Sequence, residues 1–244
     1  MYWLKTLKNR LSLFLESFYF LRGFTAWVRR IQKKRHSQAV VNYAHLSKEI
    51  FEIISSLGLN IFPFYGTLLF LVREQAITFA DDFDFATLDT IDVDYLVSSL
   101  AKKGIHPKGI LQDSFGKVYE ITFDYKGCGI DIVFIKDEGD KFVHEQVNFR
   151  NEIAKATYTK NSVSKIYSQV YRLDLPKFSL SYSELLNVMI PNESESILSI
   201  IYGEDWRIPK TSNFIDYEKY SFIDREVTVT YGSVDNLLPK LLND

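Results

Sequence analysis

Four residues constrain this chain more than any others: Asp82-Phe83-Asp84-Phe85. Acid and aromatic alternate with period two. In a strand, that alternation sends Asp82 and Asp84 to one face and Phe83 and Phe85 to the other. The rings belong in a core and hold the strand still. The two carboxylates are then side by side, where they repel each other unless a proton or a cation intervenes. Oxygen-only ligands of this kind suit Mg²⁺ or Mn²⁺, with substrate phosphates completing the shell.

Two further stretches bear on the same chemistry. Upstream, Gly66-Thr67 opens an apolar helical run. Gly66 lets the backbone approach a phosphate, the first amides of a helix are free donors, and Thr67 adds a hydroxyl. Downstream, Asp131 is a lone acid inside the apolar run Gly129-Ile130-Asp131-Ile132-Val133-Phe134. An unpaired carboxylate there would be costly to bury. Facing a metal at the strand's edge removes the cost, and so does pairing with Lys126 or Arg73.

The remaining pattern predicts helices over 38–57, 67–73, 92–103, 183–189 and 192–202. Asp92 and Asn192 are candidate N-caps, and Gly58, Gly104 and Gly203 are candidate stops. Strands are expected over 59–64, 83–88, 118–124, 130–135 and 227–231. Tyr125-Lys126-Gly127 makes a tight hairpin turn between the third and fourth of these. The stretch 143–160 is ambiguous. Cys128 is the one cysteine, so no intrachain disulfide can form. The four histidines lack zinc-ligand spacing.

Charge is uneven. Residues 1–36 carry nine Lys/Arg against Glu16, a balance of +8. The whole chain is −2, so the remainder carries −10. The apolar run from Leu11 to Val28 is broken by Glu16 and Arg22, which makes it a poor membrane span. One or two basic amphipathic helices fit better, lying either on an anionic membrane surface or on the body of the protein. The interleaved Phe and Leu resemble a lipid or core face more than a base-stacking groove, so nucleic acid is not an expected partner. The organisation read from the chain is a basic arm over 1–36, a catalytic domain over 37–210, and an extension over 211–244.

Tyr65-Gly66-Thr67-Leu68-Leu69, with Arg73-Glu74-Gln75 and then Asp81-Asp82-Phe83-Asp84-Phe85, resembles the signature of the LicD/fukutin-type nucleotidyltransferases. Tyr202-Gly203-Glu204-Asp205-Trp206, with Pro209 following, is similar to that family's closing motif. Phe70 stands where the family has a small residue, and one acid of its acidic run is missing here.

The resemblance implies an α+β fold: a nucleotidyltransferase-type mixed β-sheet core flanked by helices, with an N-terminal helical arm and a helical C-terminal extension. It implies transfer of a phosphorylated alcohol, phosphocholine or a polyol phosphate, from a CDP-linked donor to a sugar hydroxyl of a glycan or lipid-linked acceptor, with release of CMP. On that reading Gly66, Thr67 and Arg73 hold donor phosphate, and Asp82, Asp84 and Asp131 hold Mg²⁺ or Mn²⁺. Asp131 is also the candidate base. Arg73 could instead form a structural ion pair, with Asp81 among its candidate partners. Tyr202 and Trp206 are expected to pack around the site, with Asp205 a candidate substrate contact. The place of action would be the cytoplasm or the inner face of the plasma membrane. Transfer of a nucleotide itself, and an inactive glycan-binding relative, are the competing readings.

Overall fold

The computed structural model describes residues 45–75, 82–88, 90–150, 153–184, 187–210 and 215–241. The basic arm over 1–36 and Asp81 lie outside them. The chain divides into two units, Met1–Leu46 and Ser47–Asp244, and the description below concerns the second.

Its elements in chain order are α1 (residues 47–56 within this unit), β1 (Phe62–Pro63), α2 (Tyr65–Glu74), β2 (Asp82–Leu88), α3 (Val93–Ala101), β3 (His106–Asp113), β4 (Val118–Tyr125), β5 (Cys128–Asp137), β6 (Phe142–Val147), β7 (Lys155–Tyr158), β8 (Ser162–Leu175), β9 (Leu180–Ser183), β10 (Val188–Pro191), α4 (Ser194–Tyr202), β11 (Ser221–Gly232) and α5 (Val234–Leu241).

The expected nucleotidyltransferase-type sheet core is not what forms. Six antiparallel strands close on themselves in the order β5-β4-β3-β11-β8-β6. The ring shuts where Ile135, Lys136 and Asp137 of β5 pair with His144, Val143 and Phe142 of β6. Four staves make the difference. β3 and β8 carry no strand signal clear enough to read from pattern, β6 falls almost wholly in the stretch 143–160 that reads ambiguously, and β11 runs well beyond the expected 227–231. β11 pairs with β3 on one side and β8 on the other, so the strand foreseen in the extension is a barrel stave. Closure satisfies edges that an open sheet would leave unpaired.

β2 lies outside the ring, parallel to β5 over Asp82–Leu88, with Asp84 opposite Asp131. β1 pairs antiparallel to its outer side. β5 therefore serves β2 along most of its length and turns to β6 only at its end. β7 and the β9–β10 hairpin are further additions. That hairpin replaces the helix expected over 183–189. Leu180–Ser183 pairs residue for residue with Val188–Pro191.

Several local expectations hold. β4 and β5 are joined through Lys126-Gly127, with φ of 53° and 83°. Positive φ at both central residues is the primed turn that matches strand twist. Asp92 caps α3 by accepting from the Tyr95 amide at 3.1 Å. Gly203 ends α4 with φ 89°, although Asn192 bonds to Ser179 and the N-cap position falls to Glu193.

Alternation decides where the core sits. Phe83 and Phe85 are fully buried, and Phe51 of α1 meets both rings edge-on at 6.3 and 5.7 Å. Ile121, Phe123, Ile130 and Ile132 are also fully buried. Full burial of side chains this size stabilises by about 1.5–3 kcal/mol each, which holds β2, β4 and β5 in register. The opposite face is left for polar chemistry. Among the described residues, no helix is long and apolar enough to cross a membrane.

Candidate functional site

The acidic face begins with Asp84, which is held from three directions. Its backbone N–H donates to Thr67 Oγ1 at 2.8 Å, its carbonyl accepts from Phe64 N–H at 3.0 Å, and its Oδ2 accepts from the Gly66 amide at 3.0 Å. Gly66 and Thr67, expected to cradle a donor phosphate, are thus both engaged with Asp84. Their work in this structure is to aim a carboxylate. A Cβ on Gly66 would come within 3.1 Å of Asp84 Oδ2. Gly66→Ala is therefore expected to push the carboxylate aside and weaken Mn²⁺ binding about 10–100-fold, the usual cost of losing a group that orients a ligand. Calorimetric titration with Mn²⁺ measures this, and unchanged affinity would contradict the positioning role.

Asp131 sits beside Asp84 on β5, and Thr122 of β4 is opposite Asp131 on the other side. Two residues from Thr122 along β4, on the same face by strand alternation, is Glu120. It hydrogen-bonds Gln146 of β6. β4 and β6 are separated in the ring by β5, so that bond spans β5 and ties two staves that are not neighbours. The row Glu120, Thr122, Asp131, Asp84 therefore runs from β4 across β5 to β2.

The electrostatics carry the mark of crowding. Burial, followed by repulsion from Asp82 and Asp131, raises the Asp84 carboxyl to about 8 against partial relief from the Gly66 and Thr67 bonds. Burial and then the Asp131 charge raise Glu120 to about 8. Burial also lifts Asp131 to about 6, with Thr122 opposing the shift and Asp82 adding to it. Asp131 has no ion pair with Lys126, which binds Glu49 at 2.6 Å, or with Arg73, which binds Glu74 at 2.8 Å. Asp131 Oδ1 is buried without a hydrogen-bond partner.

Desolvated carboxylates that repel each other are what a hard divalent cation relieves. The orphaned Asp131 oxygen is an open acceptor facing that need. In kind and in energy the donor set fits Mg²⁺ or Mn²⁺. In placement it is wider than ligation requires, since no group of three carboxylate, imidazole or thiol residues among the described residues stands ready to hold a metal. Uncompensated like charges separate, and the residues just before Asp82 lie outside the described set.

The two stretches of the family-like signature meet at one cleft of about 230 Å³. Gly66 and Arg73 line it from α2, and Tyr202, Trp206, Pro209 and Lys210 from the C-terminal side. Tyr202 and Trp206 are buried, in keeping with packing around the site. Asp205 is bound by Lys210 at 2.6 Å. The Arg73 guanidinium lies 5.4 Å over the Phe70 ring, and its Nε is buried without a partner.

Glu120 was not among the residues singled out from sequence, yet a signal for it existed. The two-residue turn at Lys126-Gly127 sets the β4–β5 register, and that register places Thr122 opposite Asp131 with Glu120 two residues along. Comparisons with protein-family models, curated proteins and solved structures give no match.

Proposed function

We propose that this protein is a divalent-cation-dependent transferase acting at phosphorus. It moves a phosphorylated alcohol from a CDP-linked donor to a sugar hydroxyl and releases CMP. The observation that carries the reading is the half-buried carboxylate row of Glu120, Asp131 and Asp84, running from β4 across β5 to β2, with Asp82 acting on it, next to the cleft that holds Arg73.

Asp82, Asp84 and Asp131 would hold Mg²⁺ or Mn²⁺. When bound, the ion would offset charge on the donor's phosphate oxygens and on the departing CMP. The Gly66 amide and Thr67 hydroxyl keep Asp84 aimed. Arg73, with its planar fork of donors, suits a donor phosphate at the cleft. Asp131 Oδ1 has an open lone pair for the proton of the attacking hydroxyl. As that oxygen bonds to phosphorus, the bond to the CMP oxygen breaks and the proton passes to Asp131.

Screening CDP-linked alcohols for CMP release with Mg²⁺ present tests the reading. CMP release that requires both an acceptor sugar and the cation is the expected result. Pyrophosphate release from a nucleoside triphosphate would assign nucleotide transfer instead, and failure of the protein to bind Mn²⁺ would remove the enzyme reading. Arg73→Ala is expected to raise the KM for the donor with less effect on kcat. A lower Tm with unchanged KM would mark Arg73 as structural.

A further inference from the structure

A second cavity, of about 560 Å³, is lined by none of the acidic-site residues named above. It is bounded by the tip of the β3–β4 hairpin, the β5–β6 turn, and an irregularity in β11 where the pairing with β8 slips between Asp224 and Val227. A bulge there turns Arg225 and Glu226 out of the ladder and into the cavity wall. The volume falls within the ordinary range for small-molecule sites, about 300–1,000 Å³.

Five of its charged side chains are paired with one another. Arg225 Nη1 donates to Glu145 Oε2 at 2.7 Å and to the Tyr119 hydroxyl at 3.0 Å. Arg172 Nη2 donates to Glu138 Oε2 at 2.6 Å, and Lys136 reaches the other oxygen of Glu138 at 2.9 Å. The lining counts four Lys/Arg and four Asp/Glu. At these pairs an anion would have to displace carboxylates from the arginines, and a cation would have to displace the arginines. What the wall offers is a set of planar groups in fixed positions with spare lone pairs and N–H bonds.

At the mouth stands Phe115, 94% exposed. Its loop is rigid, because Asp113 Oδ1 accepts from both the Phe115 and Lys117 amides, at 2.9 and 3.0 Å. A ring held in water beside planar hydrogen-bonding groups is suited to a ligand with one apolar C–H face and an edge of hydroxyls.

We propose that this cavity binds an uncharged sugar unit of a glycan, stacked on Phe115 and hydrogen-bonded by the Arg225–Glu145 and Arg172–Glu138 pairs. The site does not depend on the transfer reaction. It would hold a glycan chain at a place separate from the acidic row.

A printed array of neutral and anionic glycans, probed with the full chain, tests it. Wild-type protein is expected to retain neutral glycans. Phe115→Ala is expected to lose about tenfold in affinity, near 1.4 kcal/mol, with Tm unchanged because the ring packs on nothing. Asp84→Asn should retain glycans as well as wild type, which separates this site from the acidic one. Retention of no glycan, retention of anionic glycans alone, or equal retention by the Phe115→Ala variant would each overturn the proposal.

Discussion

Asp84→Asn is expected to abolish cation-dependent turnover while leaving the metal-free protein at least as stable as wild type at pH 8. The two halves have one cause. Asp84 is half-buried, and its charge is opposed by Asp82 and Asp131. With a cation present, that charge is the ligand, and losing a principal electrostatic stabiliser costs about 10²–10³ in rate or more. Without a cation the charge is a liability. Asn cannot ionise, and its carbonyl oxygen can still accept from the Gly66 amide. CMP-release kinetics and thermal melts on the same preparation measure both. Near-wild-type transfer would remove Asp84 from the site, and a large drop in metal-free Tm would show that its charge is paired by something stabilising.

The second large effect is the pH dependence of metal-free stability. Asp84 and Glu120 are raised to about 8 and Asp131 to about 6, so the folded chain keeps protons that the unfolded chain gives up near pH 4. Stability from these groups is complete below about pH 4 and is lost as pH rises toward 8. His144 works in the opposite sense. Its ring is fully buried among Phe64, Tyr65 and Tyr171, neither nitrogen has a partner, and burial lowers it to about 3. Its contribution is present above about pH 6.5 and is lost as pH falls toward 3. Above pH 6.5 His144 no longer contributes while the carboxylates still do, so the metal-free Tm should fall from there to about pH 8.5. Each kcal/mol lost lowers Tm by about 2–4 °C in a chain of this size. Mg²⁺ should reverse the fall, by about 2.7 kcal/mol at a hundredfold excess over Kd. Scanning calorimetry across this range, with and without Mg²⁺, checks it. A Tm that stays flat to pH 8.5, or one insensitive to Mg²⁺, would contradict the buried-carboxylate account.

The acidic site was partly legible because its pieces are local. Asp82 and Asp84 declare their shared face by alternation, and Asp131 stands out as one acid in an apolar strand. What the glycine turn binds was not legible. Gly66 and Thr67 are as well suited to a phosphate as to a carboxylate, and only the approach of β2 gives them Asp84. Glu120 looked like one acid among many until β4 and β6 were brought to either side of β5.

By itself the chain determined what short-range physics settles: the alternating strand at 82–88, the Lys126-Gly127 turn and its register, the Asp92 cap, and the stop at Gly203. Closure was decided in three dimensions. β3 begins around Pro107 and Gly109, β8 alternates poorly, and 183–189 can satisfy a helical or a strand pattern equally. Their conformation follows from which neighbours offer free N–H and C=O groups. A strand pair separated by many residues has no local signature for that choice, because the energy that selects it appears only when the partner strand arrives.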